Sequence, residues 1–281
     1  LNYSSLDKIN LFIAIYGRLF FWIFKISLWL PFLILGLVQA AGLFAFSKFY
    51  VDGLYQIIHP VLSRFFPPEI FHFPQYYLAL PSIYSGYDIF ILGPTIGVIL
   101  TAVAVYKFGG YHENNKHSFN EGLQASVKSY LPLLLFWVLE TFIVLAVLLG
   151  LSLTFADLLL GSPRLKFAFE FGFHMFAYIF SALIIYTIPG IILSGKSFFD
   201  AISDSVRLCG KNFFLTFFIV AIPGLLGAAI DIFISNYSLQ IIRLFDPEVI
   251  LWSLYVRIGL GIFINLFIYG AAVYVYKEMS D

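Results

Sequence analysis

The sequence predicts an all-α integral membrane protein with six transmembrane helices, and three observations carry that prediction. The chain is 61% hydrophobic and only 11% charged, against roughly one-quarter charged residues in ordinary soluble domains. Six apolar runs are long enough to cross a hydrocarbon core about 30 Å thick, which takes about 20 helical residues. None of them alternates with the two-residue rhythm of a membrane barrel strand. The runs fall at approximately 19–46, 89–108, 130–155, 167–193, 213–234 and 250–276. Pro31, Pro94, Pro132, Pro189 and Pro223 lie inside them or at their ends, where a missing amide can kink a helix.

Charge orients the spans. Sixteen Lys and Arg balance sixteen Asp and Glu, so no basic field exists to hold nucleic acid, and nucleic acid is not an expected partner. Lys8, Arg18, Lys25, Lys107, Lys116, Lys128, Lys196, Arg207, Lys211 and Lys277 fall in the N-terminal segment, the connections after the second and fourth spans, and the C-terminus. Lys48, Arg64, Arg164, Lys166, Arg243 and Arg257 fall on or near the other side. The positive-inside rule then predicts that both termini are cytoplasmic, and the expected location is the inner membrane of a bacterium. The first apolar run lacks the ordered charged start, short apolar core and cleavage site of a signal peptide, so it is expected to be a retained span. Cys209, the single cysteine, can form no internal disulfide and reads as a small packing residue. The one long external connection, 47–88, contains FFPPEIFHFPQYYLALPSIYSGY and is expected to lie in the headgroup interface, which Tyr and Trp rings favour.

The six spans are expected to form a single domain of three repeats, approximately 1–108, 118–193 and 197–277. At an offset of 193, Ser4-Ser5-Leu6-Asp7 matches Ser197-Phe198-Phe199-Asp200, and GRLFFWIF from Gly17 matches GKNFFLTF from Gly210. At an offset of 79, SFNEGLQASVK from Ser118 matches SFFDAISDSVR from Ser197. The second span ends AVAVYK and the sixth ends AVYVYK. Each copy opens S-x-x-[DE], the capping-box pattern that starts a helix. The predicted unit is a cytoplasmic amphipathic helix, a span out, a connection and a span back. In the third copy Phe198, Phe199, Ile202, Val206 and Cys209 share one face, opposite Asp200, Ser203, Asp204, Arg207 and Lys211. Because the polar faces carry both signs, helices docked on the bundle are favoured over lipid sensors, which are usually rich in Lys and Arg.

The run IPGIILSGKSFFDAISDSVRLCGKNFF, from Ile188, resembles the recurring segment of bacterial six-span inner-membrane proteins such as the YciC-like family. It is also similar to the membrane domain attached to some glycerophosphodiester phosphodiesterases. Pro189, Gly195-Lys196-Ser197, Ala201-Ile202, Ser205 and Asn212 carry the likeness. The resemblance implies a six-span membrane module that need not be catalytic.

Ionisable groups inside spans are costly and are candidate functional residues. Glu140 lies about 15 Å from the start of its span at 1.5 Å per residue, near the bilayer middle. A carboxyl hydrogen-bonded to a neighbouring helix is preferred there to a lipid- or partner-facing anchor or a proton relay. Glu170, His174, Asp231 and Arg257 fall in one layer about 25–30 Å from the cytoplasmic ends, where Asp231 or Glu170 can pair with Arg257. Reaching outer headgroups and water is preferred there to forming a substrate site. His112, Glu113 and His117 in GGYHENNKHS fit no established metal spacing and read as a solvated turn, while His59 and His72 read as interfacial packing residues. No nucleophile triad, phosphate loop or CxxC motif is present. The expectation is a protein without catalytic activity, metal or cofactor, acting as a scaffold, envelope-maintenance factor or accessory subunit. Its expected partners are membrane lipids and another integral membrane protein. The alternative is a transporter or lipid-handling protein with a site between repeats near Glu140.

Overall fold

The computed structural model describes residues 5–115 and 117–280. The helix start expected at Ser4, the side chains of Asp7 and Lys8, and Lys116 lie outside the described residues. Among the described residues every regular element is helical, and six helical segments are long and apolar enough to cross a membrane. Lipid offers no hydrogen-bond partners to a backbone, so a chain this apolar satisfies its own amides within helices.

Helix α1 (Ser5–Ile23) is separated from α2 (Ile26–Ser47) by a turn at Phe24 and Lys25. The first span therefore begins at Ile26, not near residue 19 as the hydropathy suggested. The apolar end of α1 belongs to a docked helix: Ile15 and Leu19 are fully buried, Tyr16 stacks on Phe267, and the Arg18 guanidinium lies 5.0 Å above the Tyr274 ring. Helix α3 (Leu54–Leu62) and a 3₁₀ turn (Pro68–Phe71) follow.

The second span is a continuous helical segment of 38 residues, Gln75–His112, made of α4 (Gln75–Tyr87), a π-helical stretch (Asp88–Gly97) and α5 (Val98–His112). It starts 14 residues earlier than expected, so much of the expected interfacial connection is helix. Tyr76, Leu80, Ile83 and Tyr84 fall on one helical stripe and are buried, and the Tyr76 hydroxyl donates to the Phe46 carbonyl at 2.7 Å, tying α4 to the end of α2. Pro94 has no amide for a regular i→i−4 bond, and the π stretch accommodates it, with the Val98 amide reaching back to the Gly93 carbonyl. Tyr130 donates to the Pro94 carbonyl at 2.9 Å, giving that carbonyl a partner on α7.

Short α6 (Phe119–Lys128) leads into the third span, α7 (Tyr130–Gly161). The fourth span is broken into α8 (Pro163–Ile184) and α9 (Thr187–Ser194), and α10 (Phe198–Lys211) precedes the fifth span, α11 (Phe213–Leu244). Helix α12 (Glu248–Ser280) packs against α1, α2, α4, α5, α9 and α11.

Both described serine caps form. Ser118 and Glu121 make the full reciprocal box, and Ser197 accepts from the Asp200 amide. Helix α10 docks on the bundle, but not with the face expected. Ala201, Ser205, Leu208 and Cys209 are buried, whereas Phe199 and Val206 are exposed. The reason lies in the broken fourth span. Pro189 supplies no amide to its preceding turn, and α10 covers the break: the Tyr186 amide donates to Ser205 Oγ (3.1 Å), which donates to the Leu183 carbonyl (2.8 Å). Gly190 lies against Ala201, and the Tyr186 and Thr216 hydroxyls bond at 2.8 Å. Small residues allow this approach, and α6 buries Gly122 and Ser126 at the corresponding positions.

One end of the bundle is tied by polar contacts. Lys277 bonds Glu113 and holds its carboxyl below the usual carboxylate range. His112 Nε2 stands 3.5 Å from Glu278, and His117 stacks on Tyr106 while meeting its carbonyl at 3.1 Å. GGYHENNKHS is thus partly the end of α5 and partly a docked turn, not a freely solvated one. Lys196 pairs with Asp204, raising the amine and lowering the carboxyl, and also meets the Tyr276 hydroxyl at 3.3 Å.

Replacing Ser205 by Val leaves the Tyr186 amide and Leu183 carbonyl without their hydroxyl partner. The expected loss is about 1–3 kcal/mol in denaturant or thermal unfolding, against less than about 0.5 kcal/mol for Ser203→Val on the exposed face. Burial pushes the Cys209 thiol up to about 11, so its thiolate is about one part in a thousand at pH 8. Maleimide should label it only after unfolding; rapid labelling of the folded protein at pH 8 would contradict the docked α10.

Candidate functional site

Near the other end, a cavity of about 1020 Å³ opens between α2, the α4–π segment, α7, α11 and α12. It is at the upper end of the size range of single-ligand pockets. Two of its charged lining groups share one level. Asp231 and Arg257 lie 18 and 20 residues from Phe213 and Lys277, about 27–30 Å along α11 and α12, and Asp88 at the start of the π stretch lines the same cavity.

Each group is placed by local sequence. Asp88 begins the π stretch, and its Oδ1 accepts from Gln39 Nε2 at 2.8 Å. On α12, Arg257, Gly261 and Asn265 recur every four residues and form a polar stripe about 12 Å long. On α11, Asp231, Ser235 and Ser238 line the facing side. The Arg257 side chain lies against Gly227, where a Cβ would come within 3.1 Å of its guanidinium carbon, and Nε donates to Asp231 Oδ1 at 2.9 Å. Tyr178 occupies the space above Gly224 one turn away. Apolar side chains complete the wall, with Leu78 and Phe90 on one side and Leu145 and Leu148 of α7 on another.

Of the two carboxylates that the sequence offers to Arg257, Asp231 is the one that pairs with it. His174 has Asp231, Arg257 and Glu170 as its electrostatic neighbours. Glu170 is engaged elsewhere, accepting from Ser235 Oγ at 2.6 Å and Asn236 Nδ2 at 2.5 Å with Lys166 at 3.7 Å, and so ties α8 to α11. Glu140 has Ser181 of α8 and Tyr269 of α12 as its polar neighbours; it does not line the cavity. Gln39, Asp88 and Asn265 were not singled out from the sequence. The i, i+4, i+8 spacing of Arg257, Gly261 and Asn265 was readable there, but Asp88 was masked because the second span seemed to begin just after it.

Fold and cavity together define a multi-pass all-α membrane protein whose helix bundle encloses a chamber of mixed polar and apolar lining. No family model, curated protein or solved structure matches the chain.

The Asp231–Arg257 pair is partly exposed, with 39% and 34% of the two side chains accessible, which limits its contribution to about 1 kcal/mol. A double-mutant cycle of Asp231→Asn and Arg257→Met should return a favourable coupling of that size. Strict additivity of the two effects would show that the pair does not hold α11 to α12.

Proposed function

We propose that this protein handles lipids or similar amphiphiles, taking one such molecule into the chamber between α4, α7, α11 and α12. The observation that carries the reading is the chamber's mixed lining, in which Asp88, Asp231 and Arg257 share the wall with Leu78, Phe90, Leu145 and Leu148. A soluble polar ligand has no use for the apolar wall, and a purely apolar one would leave the charges unsolvated. Entry from the bilayer is reasonable past α7, whose most apolar window is 11% buried, against 33–50% for the other spans. On this reading the site belongs to the layer of Asp231 and Arg257 instead of the surroundings of Glu140, which does not line the chamber.

The Lys and Arg distribution supports a bacterial inner-membrane location with both termini in the cytoplasm, and hence a chamber toward the outer leaflet. The matching small residues of α6 and α10, Gly122 with Ala201 and Ser126 with Ser205, support the three-repeat reading. The likeness of the segment from Ile188 to the YciC-like segment supports membership of that six-span group. A second reading, an accessory subunit docking through α7, has one specific observation in its favour: Phe142, Leu149 and Leu153 leave that helix widely exposed.

Gly261 lines the chamber and a Cβ there meets only Arg257, at 3.8 Å, while Gly259 has open space around it. Gly261→Phe should intrude on the chamber beside Arg257 and reduce lipid retained through purification about tenfold by native mass spectrometry, whereas Gly259→Phe should retain the wild-type amount. Equal retention by both variants would refute a chamber ligand. Stoichiometric co-purification of a second membrane protein, lost in Leu149→Arg but not in Gly261→Phe, would favour the accessory reading.

A further inference from the structure

We infer that the chamber selects a zwitterionic headgroup, a primary ammonium joined to a phosphate, with Asp88 receiving the ammonium and Arg257 the phosphate. The inference rests on the lipid-handling reading above and names the chemistry of its ligand. Its basis is the juxtaposition of two groups whose hydrogen-bonding capacity is incompletely used within the protein. Asp88 commits Oδ1 to Gln39, and Oδ2 has no partner among the described residues. No described cation stands within ion-pair distance of Asp88. Arg257 commits Nε to Asp231, and neither Nη has an acceptor among the described residues. Because Gly227 carries no side chain, the guanidinium lies flat on α11, with its terminal nitrogens left for a further acceptor.

Charge decides among headgroups. Asp231 and Arg257 cancel, so Asp88 leaves the chamber with one negative charge. An anionic headgroup satisfies Arg257 but meets Asp88 as a like charge. A simple cation satisfies Asp88 and leaves the Nη donors without an acceptor among the described residues. A zwitterion satisfies both without adding net charge. Asp88 Oδ2 is a hydrogen-bond acceptor, which suits a primary ammonium with N–H donors better than a quaternary one. Asn265, about 12 Å deeper along α12 and without a hydrogen-bond partner among the described residues, leaves room for an ester group below the headgroup.

The test uses the delipidated full-length protein in detergent. It is titrated with phosphatidylethanolamine, phosphatidylcholine and phosphatidylglycerol of identical acyl chains and read by native mass spectrometry, with glycerophosphoethanolamine as a soluble competitor. Phosphatidylethanolamine should exceed each of the others about tenfold, and Asp88→Asn should erase that margin while retaining phosphatidylglycerol. Joint replacement Asp231→Asn with Arg257→Gln, which keeps the charge balance, should weaken all three lipids. Equal binding of the three by wild type, all displaced by Gly261→Phe, would overturn the headgroup assignment and leave the lipid-handling reading standing. Absence of any lipid binding, or binding indifferent to Gly261→Phe, would overturn the lipid-handling reading itself. Displacement of the diacyl lipid by an equal concentration of glycerophosphoethanolamine would overturn the lipid as the ligand's source. Thermal melts accompany each variant. Should Asp88→Asn not fold, the wild-type preference among the three lipids decides the matter.

Discussion

A backbone amide or carbonyl left unpaired in hydrocarbon costs several kcal/mol, and the architecture follows from meeting that demand where proline makes it hardest. Pro94 and Pro189 each remove one amide from a span. At Pro94 the helix widens into the π stretch and the Pro94 carbonyl is taken by Tyr130 from the next span. At Pro189 the helix breaks, and a serine from a different helix completes the hydrogen bonding at Leu183 and Tyr186. The two solutions have different consequences. The break fixes where α10 must sit. The widened turn begins at Asp88 and brings a carboxylate to the chamber.

The same economy explains the charged groups. Arg257 is reached by Asp231 because both sit about 28 Å from the same end of adjacent helices, and Gly227 removes the side chain that would otherwise hold them apart. Glu170, one helix away, is saturated by Ser235, Asn236 and Lys166 and acts as a tie between α8 and α11. Two carboxylates of one layer therefore do different work, set by how many donors surround each. Glu140 adds a third case: a carboxyl beside Ser181 on α8, the helix that α7 packs against.

Much of the fold was legible. Hydropathy marks six spans because a helix that crosses lipid must be apolar along nearly its whole length. The S-x-x-[DE] caps were legible because capping is local: Ser118 and Ser197 bond residues three positions on. Span edges were less so. The stripe of Tyr76, Leu80, Ile83 and Tyr84 is helical, yet its Pro and Tyr content resembles an interface loop until the end of α2 and the start of α12 are seen to cover it. The docking face of α10 was misjudged for a related reason, since Phe199 and Val206 look like core residues and the helix instead buries Ala201 and Ser205 to come close to Gly190.

Sequence alone determined the class of molecule, the number of long apolar helices and the capped helices at Ser118 and Ser197, because each depends on length, periodicity or bonds between near neighbours. Tertiary structure alone decided that Arg257 pairs with Asp231, that Glu140 lies off the chamber, and that Gln39, Asp88 and Asn265 belong to one site. Those relations join residues up to 226 positions apart, and they depend on helix rotation. A span's hydropathy fixes how deep a residue sits but not which neighbour it faces.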